Sequence, residues 1–216
     1  MAQCYNIGDI GPGGGIVFAL PFTGVNNTKY YYEIETKDIN KPSWVINPNQ
    51  SPTAPGTPLI GSEFGVYNFI IPTTFIFGDG KTNTNTISAF PTSPTVPNNP
   101  FHPFHDIAAT QCLQYQSFNG TSDWFLPSLD ELKEAKQQSD NLGLDLFDDS
   151  IITSGTGNFL TSSADISDDT LVKVIHMVPS NVVPIINNNY FIQSYSRAHV
   201  FSVRPIRRFK CELEVD

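Results

Sequence analysis

Several groups of residues in this chain have types and spacings that bear on chemistry. His102 and His105 stand three apart with Asp106 adjacent, a donor set that suits a divalent metal. Pro103 and Phe104 between them oppose a helix-borne pair, so no metal site is expected there. Gly78-Asp79-Gly80-Lys81-Thr82 matches the end of a phosphate-cradling loop. That pattern needs glycine where Phe75 stands, and a good helix former where Asn83-Thr84-Asn85-Thr86 follow. The glycines from Gly11 to Gly15 fail the dinucleotide pattern because Ile16 takes the last glycine position. Asp165, Asp168 and Asp169 offer oxygens of the kind calcium takes, but without EF-hand spacing, so calcium is unsupported and no cofactor is expected. Carboxylate pairs such as Asp148 and Asp149 carry no sign of convergence. There is no G-x-S-x-G elbow and no cysteine with a credible histidine partner. The chain makes no positive case for catalysis. Tyr190, Phe191, Tyr195, Arg197 and His199 are a different kind of set: aromatic faces for stacking, with hydrogen-bonding tips. Strand alternation sends about half of them into the core.

The composition constrains the partners. The 216 residues carry a net charge of −9, and only 15% are charged, against about 25% in ordinary domains. Asn, Thr, Ser and Gln must supply the polar surface, which suits a neutral glycan or a packed assembly. The net charge argues against nucleic acid, and the one basic cluster, Arg204, Arg207, Arg208 and Lys210, lies in a strand-like segment where its charges read as paired or solvated. No stretch approaches the ~20 apolar residues of a membrane span, so no membrane insertion is expected. Gly13 to Phe22 is apolar but follows no basic region, so it reads as turn and strand rather than export signal. Without that signal, the N-x-S/T triplets at Asn26, Asn49 and Asn119 are expected to stay bare. Cys4, Cys112 and Cys211 lack zinc spacing and read as reduced, partly buried thiols, with one disulfide left open as the alternative.

The elements that must position these residues read as α+β. Tyr5 to Leu20 reads as strand, glycine turn and strand, and Tyr30 to Glu35 as a further strand. Lys41 to Pro100 reads as long ordered loops with short strands at Gly65 to Ile71 and Thr74 to Phe77. Asp106 to Tyr115 has helical spacing with Asp106 as cap. Ser128 to Ser139 is a second helix, with Ser128 and Glu131 forming an S-x-x-E capping box. Asn158 to Ser162, Leu171 to Val178, Tyr190 to Tyr195 and His199 to Phe209 read as strands.

Six blocks, taken in order, form one pattern. They are Gly8 to Phe18, Gly78 to Thr84, Ala108 to Cys112, Ser122-Asp123-Trp124-Phe125-Leu126-Pro127-Ser128-Leu129-Asp130-Glu131-Leu132, Leu160 to Ser163, and Val203 to Arg207. Running nearly the whole length of the chain, they resemble the C-type-lectin-like domain of bacterial collagen-like adhesins and of phage and bacterial surface proteins. The resemblance implies one domain over 1–216; the chain departs from the family pattern in loop insertions around 41–59 and 87–100. It implies two helices on a mixed or antiparallel sheet, and N- and C-terminal strands paired with each other. Trp124, Phe125, Leu126, Phe18 and Ile206 would be structural core. Pairing of the termini would bring Cys4 within disulfide reach of Cys211.

A C-type-lectin-like fold hosts many partners, so function needs a separate argument. A fold of exported adhesins in a chain without an export signal fits a virion component assembled in the host cytoplasm: a tail-fibre tip, a receptor-binding protein or a capsid decoration. Its partners would be virion proteins or a host-surface glycan or protein, and a trimer or higher homo-oligomer is expected. The alternative is a bacterial cell-surface adhesin binding glycan or protein. An enzyme like the formylglycine-generating oxidases, which share the C-type-lectin-like core, would need two cysteines meeting in an open cleft.

Overall fold

A computed structural model describes residues 4–21, 30–39, 64, 70–89, 107–144, 146–147, 157–177, 190–197 and 201–211. Their elements are β1 (Ile16–Ala19), β2 (Tyr31–Ile34), α1 (Gly80–Ala89), α2 (Ala108–Gln114), α3 (Leu129–Leu142), β3 (Asn158–Ala164), β4 (Leu171–Met177), β5 (Tyr190–Ser196) and β6 (Ile206–Phe209). The architecture is α+β, with three helices and two small antiparallel sheets ordered β1-β2-β6 and β3-β4-β5.

The extended stretch Trp124 to Leu126 joins two cores. Phe125 exchanges backbone hydrogen bonds with Ile206 of the first sheet. Successive side chains of extended backbone point opposite ways. Phe125 therefore enters a cluster with Phe18, Tyr32, Ile34, Leu132 and Ile206, while Leu126 enters one with Ile87, Cys112, Leu160 and Val174. Phe18, Trp124, Phe125, Leu126 and Ile206 are all fully buried, and each such side chain stabilises the fold by about 1.5–3 kcal/mol. Trp124 donates its indole N–H to the carbonyl of Thr121 and lies edge-on to Tyr115.

Helix α3 begins where the sequence places it. The Ser128 hydroxyl accepts from the Glu131 amide, and the Glu131 carboxylate accepts from the Ser128 amide. It runs further than expected, to Leu142, and ends on Gly143 in the left-handed region (φ 62°). For α2 the expected cap Asp106 lies outside the described residues, and Ile107 holds the cap position without a side-chain bond.

Other expectations are corrected. The terminal strands do not pair with each other; β2 lies between them, antiparallel to both. The described residues form three helices rather than two, because Asn83 to Thr86, weak helix formers, lie within α1. Tertiary bonds override propensity there. Asn83 donates to the Thr74 carbonyl and to Ser162, and Thr84 donates to the Leu126 carbonyl while accepting from the Leu126 amide. This helix also claims residues 87–89 of the expected 87–100 insertion; 41–59 and the rest of that insertion lie outside the described residues. Thr74 to Phe77 and the segment from Tyr5 to Asp9 are not strands. The last strand starts only at Ile206, after Pro205, which has no N–H for a ladder.

The cysteines also differ from the reduced reading. Cys4 and Cys211 form a disulfide across 207 residues of sequence, with Cα atoms 6.0 Å apart. Tyr5, Tyr31 and Phe209 pack around that end of the sheet. Cys112 is a free, buried thiol whose ionisation burial strongly opposes.

Candidate functional site at the last strand of the second sheet

The buried carboxylates show which residues are committed to the scaffold. Glu33, fully buried on β2, accepts from the amides of Gly13 (3.0 and 3.1 Å) and Gly15 (3.2 Å) and from Arg207 Nη1 (2.8 Å). Burial raises its carboxyl above the ordinary value, against the pull of Arg207 and the two amides. A Cβ at Gly11 would stand 2.3 Å from its Oε2, and one at Gly13 would stand 2.6 Å from its Oε1. The glycine-rich opening is thus shaped to a carboxylate of the protein itself.

Glu131 repeats the device. It accepts from the amides of Gly78 (3.1 Å) and Ser128 (2.7 Å), and a Cβ on Gly80 would stand 2.1 Å from its Oε2. The segment that resembled a phosphate cradle therefore wraps an internal carboxylate. Arg204 closes a third buried knot, bonding Asp38 at 2.6 Å and the carbonyl of Leu146 while lying over Phe147 and Phe159. Arg207 also reaches Asp123 (2.5 Å), which holds a positive φ of 71°. Arg208 and Lys210 lie over the Tyr30 ring.

The acidic loop is likewise engaged. Asp165 Oδ2 accepts from Lys173 and from Ser194, each at 2.6 Å, and its Oδ1 accepts from Ser167. Burial works against ionisation, but the bonds from Lys173, Ser167 and Ser194 prevail and hold this carboxyl far below its usual range. Asp168 bonds the amide and hydroxyl of Thr170. Among the described residues no group of three or more His, Cys, Asp or Glu is arranged to hold a metal ion. His102, His105 and Asp106 lie outside them.

Strand β5 contrasts with this scaffold. Its sequence, YFIQSYS, contains no charge, glycine or proline, and Phe191, Ile192 and Gln193 are exposed in succession. Its pairing with β4 sorts its side chains to two faces. On one face Phe191 stacks on His176 at 4.3 Å with rings 5° from parallel; Tyr195 lies 5.3 Å from the same imidazole and packs edge-on to Phe201. The ladder is open at Phe191, which is 51% exposed. His176 is buried with no partner for Nε2 among the described residues, and burial depresses its proton affinity.

On the opposite face, Tyr190 walls a hollow of about 520 Å³. Ile7, Leu20 and Phe77 form its apolar floor. The other rim is one face of α3, with Asp130, Lys133, Glu134 and Gln137 at i, i+3, i+4 and i+7. Lys133 bonds Asp130 Oδ1 at 2.8 Å, and Gln138 bonds Glu134 Oε1 at 2.7 Å.

The expected binding set is therefore divided. Phe191 and Tyr195 share the ladder, while Tyr190 faces the hollow. Arg197 is a correction: it is 1% exposed, donates to the Leu171 carbonyl and lies over Phe64, so it offers no accessible ligand group. His199 lies outside the described residues. The sequence reading missed His176 and the α3 rim. The rim had a signal, a helical polar face, but nothing in the sequence shows which strand it opposes. The joined cysteines sit in the aromatic packing of the terminal strands and do not line the hollow. Comparison with known proteins adds nothing to this geometry: no family model and no curated protein matches the chain.

Proposed function

We propose that the chain is a non-enzymatic binding or structural module of a phage particle, a receptor-binding, tail-fibre-tip or decoration protein built on a C-type-lectin-like domain, recognising its partner through β5 and the surfaces beside it. One contrast carries this reading. The buried carboxylates and the guanidinium groups of Arg204 and Arg207 are held by the fold's own amides and ion pairs, whereas β5 is uncharged, aromatic and exposed from Phe191 to Gln193. Aromatic residues are the usual anchors of protein and glycan interfaces, and charged groups are scarce at interface centres. Among the described residues β5 lies at one end of its sheet, and it carries neither a Lys nor a Pro. The test is proteomics of density-purified particles: the chain should co-purify with virion proteins at a fixed stoichiometry. Recovery only as a free host protein would contradict the virion role.

A bacterial surface adhesin is the second reading, and the Cys4–Cys211 disulfide favours it, because such bonds persist in oxidising surroundings outside the cytoplasm. Particles released by lysis meet the same surroundings. Cell fractionation separates the two readings: an adhesin belongs to the envelope of uninfected cells, a virion protein does not.

A further inference from the structure

We propose that the hollow between α3 and Tyr190 binds a neutral saccharide of one or two rings without the help of a divalent cation. The inference rests on the binding-module reading above and names the ligand class for one surface of it. The volume of about 520 Å³ falls within the range of small-ligand sites. The rim alternates acceptor and donor along the helix: Asp130, Lys133, Glu134, Gln137. Asp130 and Glu134 each use one carboxylate oxygen internally, through Lys133 and Gln138, so the second oxygen of each can take a hydroxyl proton. Lys133 and the Gln137 amide can donate in return.

This arrangement discriminates by charge. An anionic ligand meets two carboxylates. A divalent cation finds no group of three or more His, Cys, Asp or Glu among the described residues, and of the two rim carboxylates Asp130 is already bonded to Lys133. A hydroxyl both donates and accepts, so a polyol satisfies every group of the rim. Tyr190 and Phe77 supply the aromatic surface, and Leu20 and Ile7 the aliphatic surface, against which the C–H face of a sugar packs.

The test uses the full chain and a panel of glucose, galactose, mannose, N-acetylglucosamine, lactose and chitobiose. Binding is read by ligand-observed NMR and calorimetry, with and without EDTA. At least one sugar should saturate at millimolar concentration or below, equally well in EDTA. Tyr190→Ala should weaken it tenfold or more, and Asp130→Asn and Glu134→Gln several-fold each. Gln137 is exposed, so Gln137→Trp fills the hollow without entering the core; it should abolish binding at an unchanged melting temperature. Failure of the whole panel, loss in EDTA, or indifference to Tyr190→Ala and Gln137→Trp would each overturn the proposal. Attachment of the labelled wild-type chain to bacterial cells, run in parallel, separates the two levels. If attachment survives Gln137→Trp and falls with Phe191→Ala, the saccharide site is wrong and the binding module stands. If wild type does not attach to cells and the panel also fails, the saccharide site and the receptor-binding role are both wrong, and the particle proteomics decides the decoration role.

Discussion

Burial lifts the Glu131 carboxyl from 4.5 to about 7, against the pull of the Ser128 and Gly78 amides on its anion. A group whose proton is held more tightly in the folded state adds stability at low pH. This contribution is complete below about pH 4.5, declines as pH rises and is lost above about 7, a span worth on the order of 3 kcal/mol. Glu131→Gln removes it. Urea unfolding should show the stability advantage of wild type over this variant shrinking by that order between pH 4.5 and 8; a constant difference would contradict a protonated Glu131. His176 acts in the opposite sense. Burial lowers its proton affinity, so its contribution is present above its unfolded value of 6.5 and is lost as pH falls below it. His176→Phe keeps a ring against Phe191 and removes the unpartnered Nε2. It should unfold with equal or higher stability, by about 1–2 kcal/mol, and with less acid sensitivity between pH 6.5 and 5. A variant clearly less stable at neutral pH would contradict the cost assigned to the unpartnered Nε2.

At the scale of elements, α3 shows what local sequence can specify. Its start is written in Ser128 and Glu131, and Ser128→Ala should cost about 1–2 kcal/mol in chemical denaturation, since it frees the buried Glu131 amide. An unchanged midpoint would mean that the cap is redundant. The hydrophobic identities of Trp124 to Leu126 and of Phe18 and Ile206 were equally legible, because their only plausible partner is a core. Helix α1 was not legible. Its residues are poor helix formers, and it persists because Asn83 and Thr84 bond backbone groups at Thr74 and Leu126, far away in sequence. The place of β2 between the terminal strands was hidden for a related reason: pairing order is a long-range choice that strand periodicity does not encode. The binding surface was half legible. Tyr190, Phe191 and Tyr195 announce an aromatic strand, but only the register with β4 sends Tyr190 to one face and its two companions to the other. Arg197 looked available by type and is taken up by the fold.

At the scale of the whole molecule, the disulfide ties residue 4 to residue 211 and closes nearly the full chain. Closing so long a loop should contribute about 2–5 kcal/mol, lost on reduction or in Cys4→Ser. Thiol titration of the denatured, unreduced chain should find one reactive thiol, Cys112, and three after reduction. Three without reduction would place the native protein in the reduced form. The larger claim is a division of labour, in which the glycine-rich and Trp124 blocks hold the scaffold and β5 with its flanking surfaces meets the partner. Quantitative attachment of labelled wild type, Tyr190→Ala, Phe191→Ala and Gly13→Ala to bacterial cells, each with a melting curve, tests it most directly. The account predicts that one or both β5 variants lose at least tenfold in attachment while remaining folded at the assay temperature, and that Gly13→Ala loses stability first, because its new Cβ would press on Glu33 and Trp124. Full attachment by both β5 variants would contradict it, as would a Gly13→Ala chain that stays folded yet no longer attaches.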